Sequence, residues 1–213
     1  MKITKLIHAC LLIEDQGKTV LIDPGDFSWR DKGFKDFISS LDKLDYVVYT
    51  HSHYDHLSED AALFIANKFS NVKFLGDQES LSKLKAAGID CSTDSNEYIE
   101  IIKSSHEQFF PGAVMCEHIH VKLFGKLMHT GDSMSDIKET EILALPIYGP
   151  WDKGTMYEFL DLAIKLKPKV VIPVHDWMLT EDWKEEIYSR INDFLASKGV
   201  KFSPIANFDS LES

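Results

Sequence analysis

Thr50-His51-Ser52-His53-Tyr54-Asp55-His56-Leu57 follows directly on Tyr46-Val47-Val48-Tyr49, a short β-branched and aromatic run with strand character. His51 and His53 are two apart, and in an extended segment alternate side chains point to the same side. Both rings can therefore address one metal ion. Asp55 and His56 come next, and a turn at that point would aim them at a second ion. Neutral imidazoles and carboxylates suit zinc, and manganese or iron as well. An isolated histidine would be explained by a helix cap or a local hydrogen bond. Three histidines and an aspartate within six positions, at the close of an apolar strand, point to metal binding.

The flanking sequence alternates strands and helices. Leu6 to Ile13 and Lys18 to Ile22 read as a hairpin, with Gly17 in the connection free to take positive φ. Asp23-Pro24-Gly25 then breaks the chain. Phe34 to Leu41 has helical spacing, and Ser58-Glu59-Asp60 is a capping start for a helix through Phe69. Val72 to Leu75 is strand-like and Glu79 to Ala87 helical. From Tyr98 to Ile147 come the short strands IEIIK, HIHVKLF, GKLMHT and EILALPI. Thr155 to Leu166 is helical, Val170 to Val174 a buried strand, Thr180 to Ser197 an amphipathic helix, and Lys201 to Ser203 a last strand. Both halves mix the two element types, so the chain is expected to be one α/β (α+β) domain over 1–213, with two sheets face to face and helices outside. Asp23, His51, Asp132 and His175 each fall at or just past a strand end, where α/β proteins tend to build sites.

The motif H-x-H-x-D-H after a short strand resembles that of the metallo-β-lactamase superfamily, whose fold is a four-layer αββα sandwich. Asp23-Pro24-Gly25 resembles that family's early aspartate turn. Met128-His129-Thr130-Gly131-Asp132-Ser133 resembles its strand-end Gly-Asp, and Ile172-Pro173-Val174-His175 the strand that delivers the last histidine. Ile7-His8-Ala9 and Leu145-Pro146-Ile147-Tyr148-Gly149 are similar to segments of the ascorbate-phosphate lactonase-like branch. The resemblance implies two divalent ions, zinc first and manganese or iron as alternatives. His51, His53 and His106 would hold one, Asp55, His56 and His175 the other, and Asp132 would bridge; Asp55 and Asp132 carry the catalytic assignment. The family pattern needs one histidine between His56 and Asp132. His106 is preferred because it directly follows a strand-like run, while His118 and His120 lie inside the next strand and His129 three residues before Asp132. Asp23 is expected to orient a ligand histidine or to cap its turn. His8 is expected to pack in its strand or to reach substrate or metal, and Tyr148 and Trp151 to line the pocket or simply pack.

The implied activity is hydrolysis of a small ester, lactone or phosphodiester by a metal-bridging hydroxide. An iron-dependent oxidative enzyme and a non-catalytic metal-binding module on the same fold are the alternatives. There is no Gly-x-Ser-x-Gly elbow to supply a serine nucleophile. The 213 residues are 44% hydrophobic and 27% charged with net charge -11, ordinary for a soluble globular chain and unsuited to a nucleic-acid partner. The partner is expected to be a small molecule, an anionic one being compatible with the local charge of two cations. Cys10, Cys91 and Cys116 are odd in number and widely spaced, which excludes a thiolate zinc site and points to reduced thiols. With no apolar h-region at the start and no membrane-length run, the chain is read as cytoplasmic.

Overall fold

The runs KTVLI, YVVY, ILALP and VVIPV are apolar at nearly every position because their strands are covered on both faces. In the computed structural model, which describes residues 1–213, they belong to two sheets. The first comprises β1 (Lys2–Lys5), β2 (Leu11–Asp15), β3 (Lys18–Ile22), β4 (Tyr46–Tyr49), β5 (Lys73–Gly76), β6 (Cys91–Ser92) and β13 (Ser210–Glu212), in the order β13-β1-β2-β3-β4-β5-β6. The second comprises β7 (Ile99–Ser105), β8 (Glu117–Leu123), β9 (Leu127–His129), β10 (Ile142–Pro146), β11 (Val170–Val174) and β12 (Lys201–Phe202), in the order β12-β11-β10-β9-β8-β7.

Alternation along each strand sorts the apolar side chains into layers. Leu11, Ile13, Val48, Ile119, Val121, Ala144 and Ile172 meet between the sheets. Leu12, Leu21, Val47 and Tyr49 face outward, onto α1 (Asp26–Arg30), α2 (Lys32–Ser40), α3 (Glu59–Lys68) and α4 (Gln78–Ala86) through Trp29, Phe34, Ile38, Ala61, Ile65, Leu81 and Leu84. On the other side Leu143, Leu145 and Val171 pack on Phe159 and Ala163 of α5 (Met156–Leu166) and on Ile191 and Leu195 of α6 (Glu181–Ala196). The result is the four-layer αββα sandwich. Ser58 caps α3 by accepting from the Ala61 amide at 3.4 Å, as its sequence position predicts. No helix is long and apolar enough to cross a membrane.

Four segments depart from the expected pattern: α1 lies where a loop is expected, β6 where no strand is, and the other two adjoin β1 in the first sheet. Leu6 to Cys10 is a tight turn rather than the start of a strand, closed by Leu6 N donating to Cys10 O (2.9 Å) and Cys10 N to Ile7 O (3.0 Å). The strand character lies on either side, in β1 and β2, and the turn carries His8 at φ 64. The C-terminal residues add β13 antiparallel to β1, an edge strand with no hydrophobic signal of its own. The two sheets meet at one end, where His51 bridges His118 and Ile119 N donates to Thr50 O at 2.9 Å.

Candidate metal centre

At that shared end the strand-terminal residues converge. His51, His53, His106 and Asp132 form one group, and His8, Asp55, His56 and His175 a second; within each, one ligand atom per residue lies within 4.8 Å of the others. Asp132 connects the two. Its Oδ2 is 3.6 Å from His51 Nε2, 3.5 Å from His106 Nε2 and 3.4 Å from His175 Nε2, and its Oδ1 is 3.0 Å from His56 Nε2. Asp55 Oδ2 lies 3.8 Å from His56 Nε2 and 3.5 Å from His175 Nε2.

Backbone geometry brings these groups together. Gly131, just before Asp132, has φ 54, and a Cβ there would stand 2.5 Å from His118 Nε2 and 2.7 Å from Thr50 Oγ1. A Cβ on Gly25 would fall 1.9 Å from the Asp55 carbonyl oxygen, so the Asp-Pro-Gly turn and the metal-binding loop can approach only through glycine. His8, Asp23 and His175 all take positive φ without being glycine (64, 47 and 59). Each such conformation costs roughly 1–3 kcal/mol, and strain of this kind persists where the surroundings hold a side chain in a required direction.

Hydrogen bonds on the outer nitrogens fix the tautomers. Asp23 accepts from the Thr50 amide and hydroxyl, both at 2.7 Å, and from His56 Nδ1 at 2.8 Å. Because the Thr50 hydroxyl donates to Asp23, its oxygen is left to accept from His51 Nδ1 at 3.1 Å. His106 Nδ1 donates to Glu107 O at 2.6 Å and His175 Nδ1 to Tyr148 O at 2.7 Å. All four rings therefore carry a proton on Nδ1 and turn Nε2 inward. His51 Nε2, His56 Nε2, His106 Nε2, His175 Nε2 and Asp132 Oδ1 are buried and have no hydrogen-bond partner. Buried polar atoms are ordinarily paired, so this convergence of orphaned acceptors fits divalent cations. His53 is turned the other way: its Nε2 is 3.5 Å from Cys116 Sγ, which leaves Nδ1 for the centre.

Electrostatics agree. Burial disfavours a charged His175, but Asp132 and Asp55 outweigh it and raise the pKa to about 9. His56 follows the same pattern, with burial overcome by Asp132, Asp55 and Asp23. Burial disfavours a charged Asp132, yet His175, His56 and His51 hold its pKa well below the usual value. Asp55 is likewise low despite burial, through His56, His175 and His8. The carboxylates thus call for positive charge at the positions where cations would sit. Burial, reinforced by neighbouring histidines, lowers His51, and burial lowers His8 to about 4, so those two rings are neutral at pH 7.

The three rivals of His106 stand elsewhere. His118 accepts from the Asp132 amide at 3.0 Å and contacts Ser104 Oγ at 2.6 Å. His129 accepts from the Gly131 amide at 3.1 Å and donates to Ala9 O at 2.9 Å. His120 contacts Ser135 O at 3.0 Å. Trp151 is buried, its ring 4.7 Å from that of His175 and 5.8 Å from that of His106. Tyr148 has an exposed ring and contributes its carbonyl instead.

Cys116 and Glu107 were not singled out as site residues by sequence. Glu107 accepts from Met134 N at 2.8 Å and Ser135 Oγ at 3.0 Å, pinning the loop after Asp132. Rim aromatics were missed too. Phe27 stacks on Trp177 (4.1 Å, 14°) with Tyr54 edge-on at 5.6 Å, and Phe109 lies 5.6 Å from His106. Only their aromatic character hinted at a pocket; a lone cysteine far along the chain gave no signal.

A family model described as "Beta-lactamase superfamily domain" matches residues 2–175. Protein Rv0786c of Mycobacterium tuberculosis is 24% identical, over 91% of this chain and 92% of its own. The UPF0173 metal-dependent hydrolase NEQ378 of Nanoarchaeum equitans is 25% identical, over 82% and 83%. Among solved structures, Igni18, described as a metallo hydrolase from Ignicoccus hospitalis, shares the fold with a TM-score of 0.73 at 20% identity, covering 100% of this chain and 98% of that one. With the family model spanning the segment from β1 to His175, the chain belongs to the beta-lactamase superfamily.

Proposed function

We propose that this chain is a metal-dependent hydrolase of small carboxylic esters or lactones with an apolar body. The observation that carries the reading is the set of orphaned inward atoms on His51, His56, His106, His175 and Asp132. The name of the Nanoarchaeum relative, a metal-dependent hydrolase, supports the same class. The imidazole-rich donor set suits zinc, with manganese and iron as alternatives. A pair of divalent cations, when bound, supplies a water-derived nucleophile at neutral pH and a Lewis acid for the substrate oxygen.

The protein side chains do the rest. Asp132 faces both groups and so couples the two positions. Asp55 keeps 13% of its side chain accessible where Asp132 keeps 2%, so of the two carboxylates it stands nearer the open edge, where substrate would enter. Phe27, Tyr54 and Trp177 form one wall. Phe109, Phe110 and Trp151 line a cavity of about 390 Å³ on the other, and these rings bind an apolar body and exclude water. Lys153, two residues from Trp151, is engaged by Ser135 at 2.9 Å and Glu107 at 3.4 Å rather than offered to a phosphate. This favours an acyl over a phosphoryl substrate.

The test is turnover of aryl esters, lactones and phosphodiesters by the chain reloaded with zinc or manganese. The reading expects chelator-sensitive hydrolysis, with esters or lactones ahead of phosphodiesters. Activity indifferent to chelation, or no turnover across the panel with both cations bound, would contradict it.

A further inference from the structure

His8 stands outside the ligand set that the H-x-H-x-D-H pattern and the later strand ends provide, yet it lies with the second group. Its Nε2 is 3.3 Å from Asp55 Oδ2, and His8 offers one ring nitrogen to a set of ligand atoms from His8, Asp55, His56 and His175 that lie within 4.8 Å of one another. The ring is 1% exposed, with its centroid 4.0 Å from that of His175 and 5.5 Å from that of His56.

What holds it there is unlike what holds the other rings. His8 Nδ1 has no partner, whereas the outer nitrogens of His51, His56, His106 and His175 are all bonded. The backbone does the aiming instead. The Leu6 to Cys10 turn places His8 at φ 64, and flanking carbonyls are clamped: Ile7 O accepts from Ser28 Oγ at 3.2 Å, and Ala9 O from His129 Nε2 at 2.9 Å. Phe27 meets the ring edge-on at 5.1 Å. A simple packing role needs neither a left-handed histidine nor two buried side chains fixing its neighbours.

We propose that His8 is a protein ligand, through Nε2, at the cation position of Asp55, His56 and His175. The inference rests on the two-cation reading above. It makes the two positions unequal. One is served by His51, His53, His106 and Asp132; the other by His8, His56, His175, Asp55 and the shared Asp132. Four donors suit zinc, while five leave little room for a tetrahedral ion and favour a cation that takes five or six, such as manganese or iron(II). The chain would then accept different metals at its two positions.

The experiment titrates Mn²⁺ into the chelated full-length protein and its His8→Ala variant, following bound metal by calorimetry and EPR. A second measurement, long-range ¹H–¹⁵N correlation on the zinc-loaded unsubstituted chain, reads His8 directly and needs no variant. The expected result is two ions on the unsubstituted chain, one of them weakened by tenfold or more in His8→Ala, with His8 Nε2 resonating among the metal-bound imidazole nitrogens. Two ions bound equally well by both proteins, or a His8 Nε2 that carries a proton or a free lone pair, would overturn the His8 assignment alone. No ion bound by the unsubstituted chain would take the two-cation reading with it.

Discussion

Two buried polar clusters share the peptide between His175 and Asp176, and they differ in one respect. On the far side of that bond, Asp176 is paired with Lys5, whose side chain is 2% exposed; it also accepts from Tyr188 OH at 3.0 Å and has Lys184 Nζ 3.7 Å away. No fully buried polar atom of Lys5, Asp176 or Tyr188 lacks a partner. On the near side, His175 Nε2 and its neighbours converge without hydrogen-bond partners. Both clusters are charged, and both face a cavity or rim; the one over Lys5 and Asp176 measures about 490 Å³. A closed cluster builds structure, whereas an open one awaits a ligand. Burial and charge alone do not separate the two, but unfinished hydrogen bonding does.

Breaking the open cluster at its centre should have the largest effect. Asp132→Asn removes the charge shared by both groups, and losing one partner of a buried charge set costs about 3–5 kcal/mol. Metal titration should show both ions weakened by at least about a hundredfold. Loss of only one would break the shared role of Asp132. Acidification should empty the same cluster. In the cation-free chain His175 is raised to about 9 by Asp132 and Asp55 against burial, so its contribution to stability is complete below its unfolded pKa, about 6.5, and is lost as pH rises through about 9. A cation must displace that proton, so apparent affinity should fall as pH drops below about 9, and occupancy should collapse once the remaining imidazoles protonate. Equilibrium dialysis from pH 9 to 5 checks this; constant occupancy would exclude imidazole ligation.

The closed cluster should fail differently. Lys5→Met leaves Asp176 with Lys184 and Tyr188 only, and should cost up to about 3–5 kcal/mol in denaturant unfolding of the metal-free chain. Burial pulls the Lys5 pKa down even beside Asp176, while Asp176 is held low by Lys5 and Lys184 against burial. Pairing therefore outweighs burial for Asp176 but not for Lys5. Replacing both by apolar residues, Lys5→Met with Asp176→Leu, should recover much of the loss. A Lys5→Met chain that unfolds normally would make the cluster ornamental.

Smaller effects sharpen the contrast from the outside. Asp23→Asn weakens the acceptor that orients His56 and, through Thr50, His51, and should lower metal affinity by roughly 10–100-fold. Cys116→Ala removes only a weak thiol contact to His53, worth no more than about 1 kcal/mol, and should shift affinity by less than about tenfold. The ratio of the two, read by competition with a chelating dye, measures how far a bonded outer nitrogen matters.

Much of this was legible in the chain. Histidine spacing after YVVY, the aspartate that follows Gly131 and the run closing at His175 identified six residues, and the strand-like run before His106 a seventh, that the fold brings within reach of one another. Layering was legible because the buried strands are apolar throughout while their helices are amphipathic. The turn at Leu6 to Cys10 was not, since Leu, Ile and Ala there look like strand and the left-handed histidine is imposed by contacts from Ser28 and His129. Nor were the outer partners, because Thr50, Cys116 and the carbonyls of Glu107 and Tyr148 are ordinary residues whose role is set by where the backbone goes. β13 has a single large apolar residue, Leu211, and its pairing with β1 is a matter of tertiary closure.

On the proposed function, two cations complete the open cluster. Elemental analysis of the reconstituted chain, joined to X-ray absorption at the bound metal's edge, tests it most directly. Two divalent ions per chain in a nitrogen and oxygen environment without sulfur is the predicted result. A chain that binds no metal after exposure to zinc, manganese and iron(II), or an ion coordinated by cysteine sulfur, would contradict it.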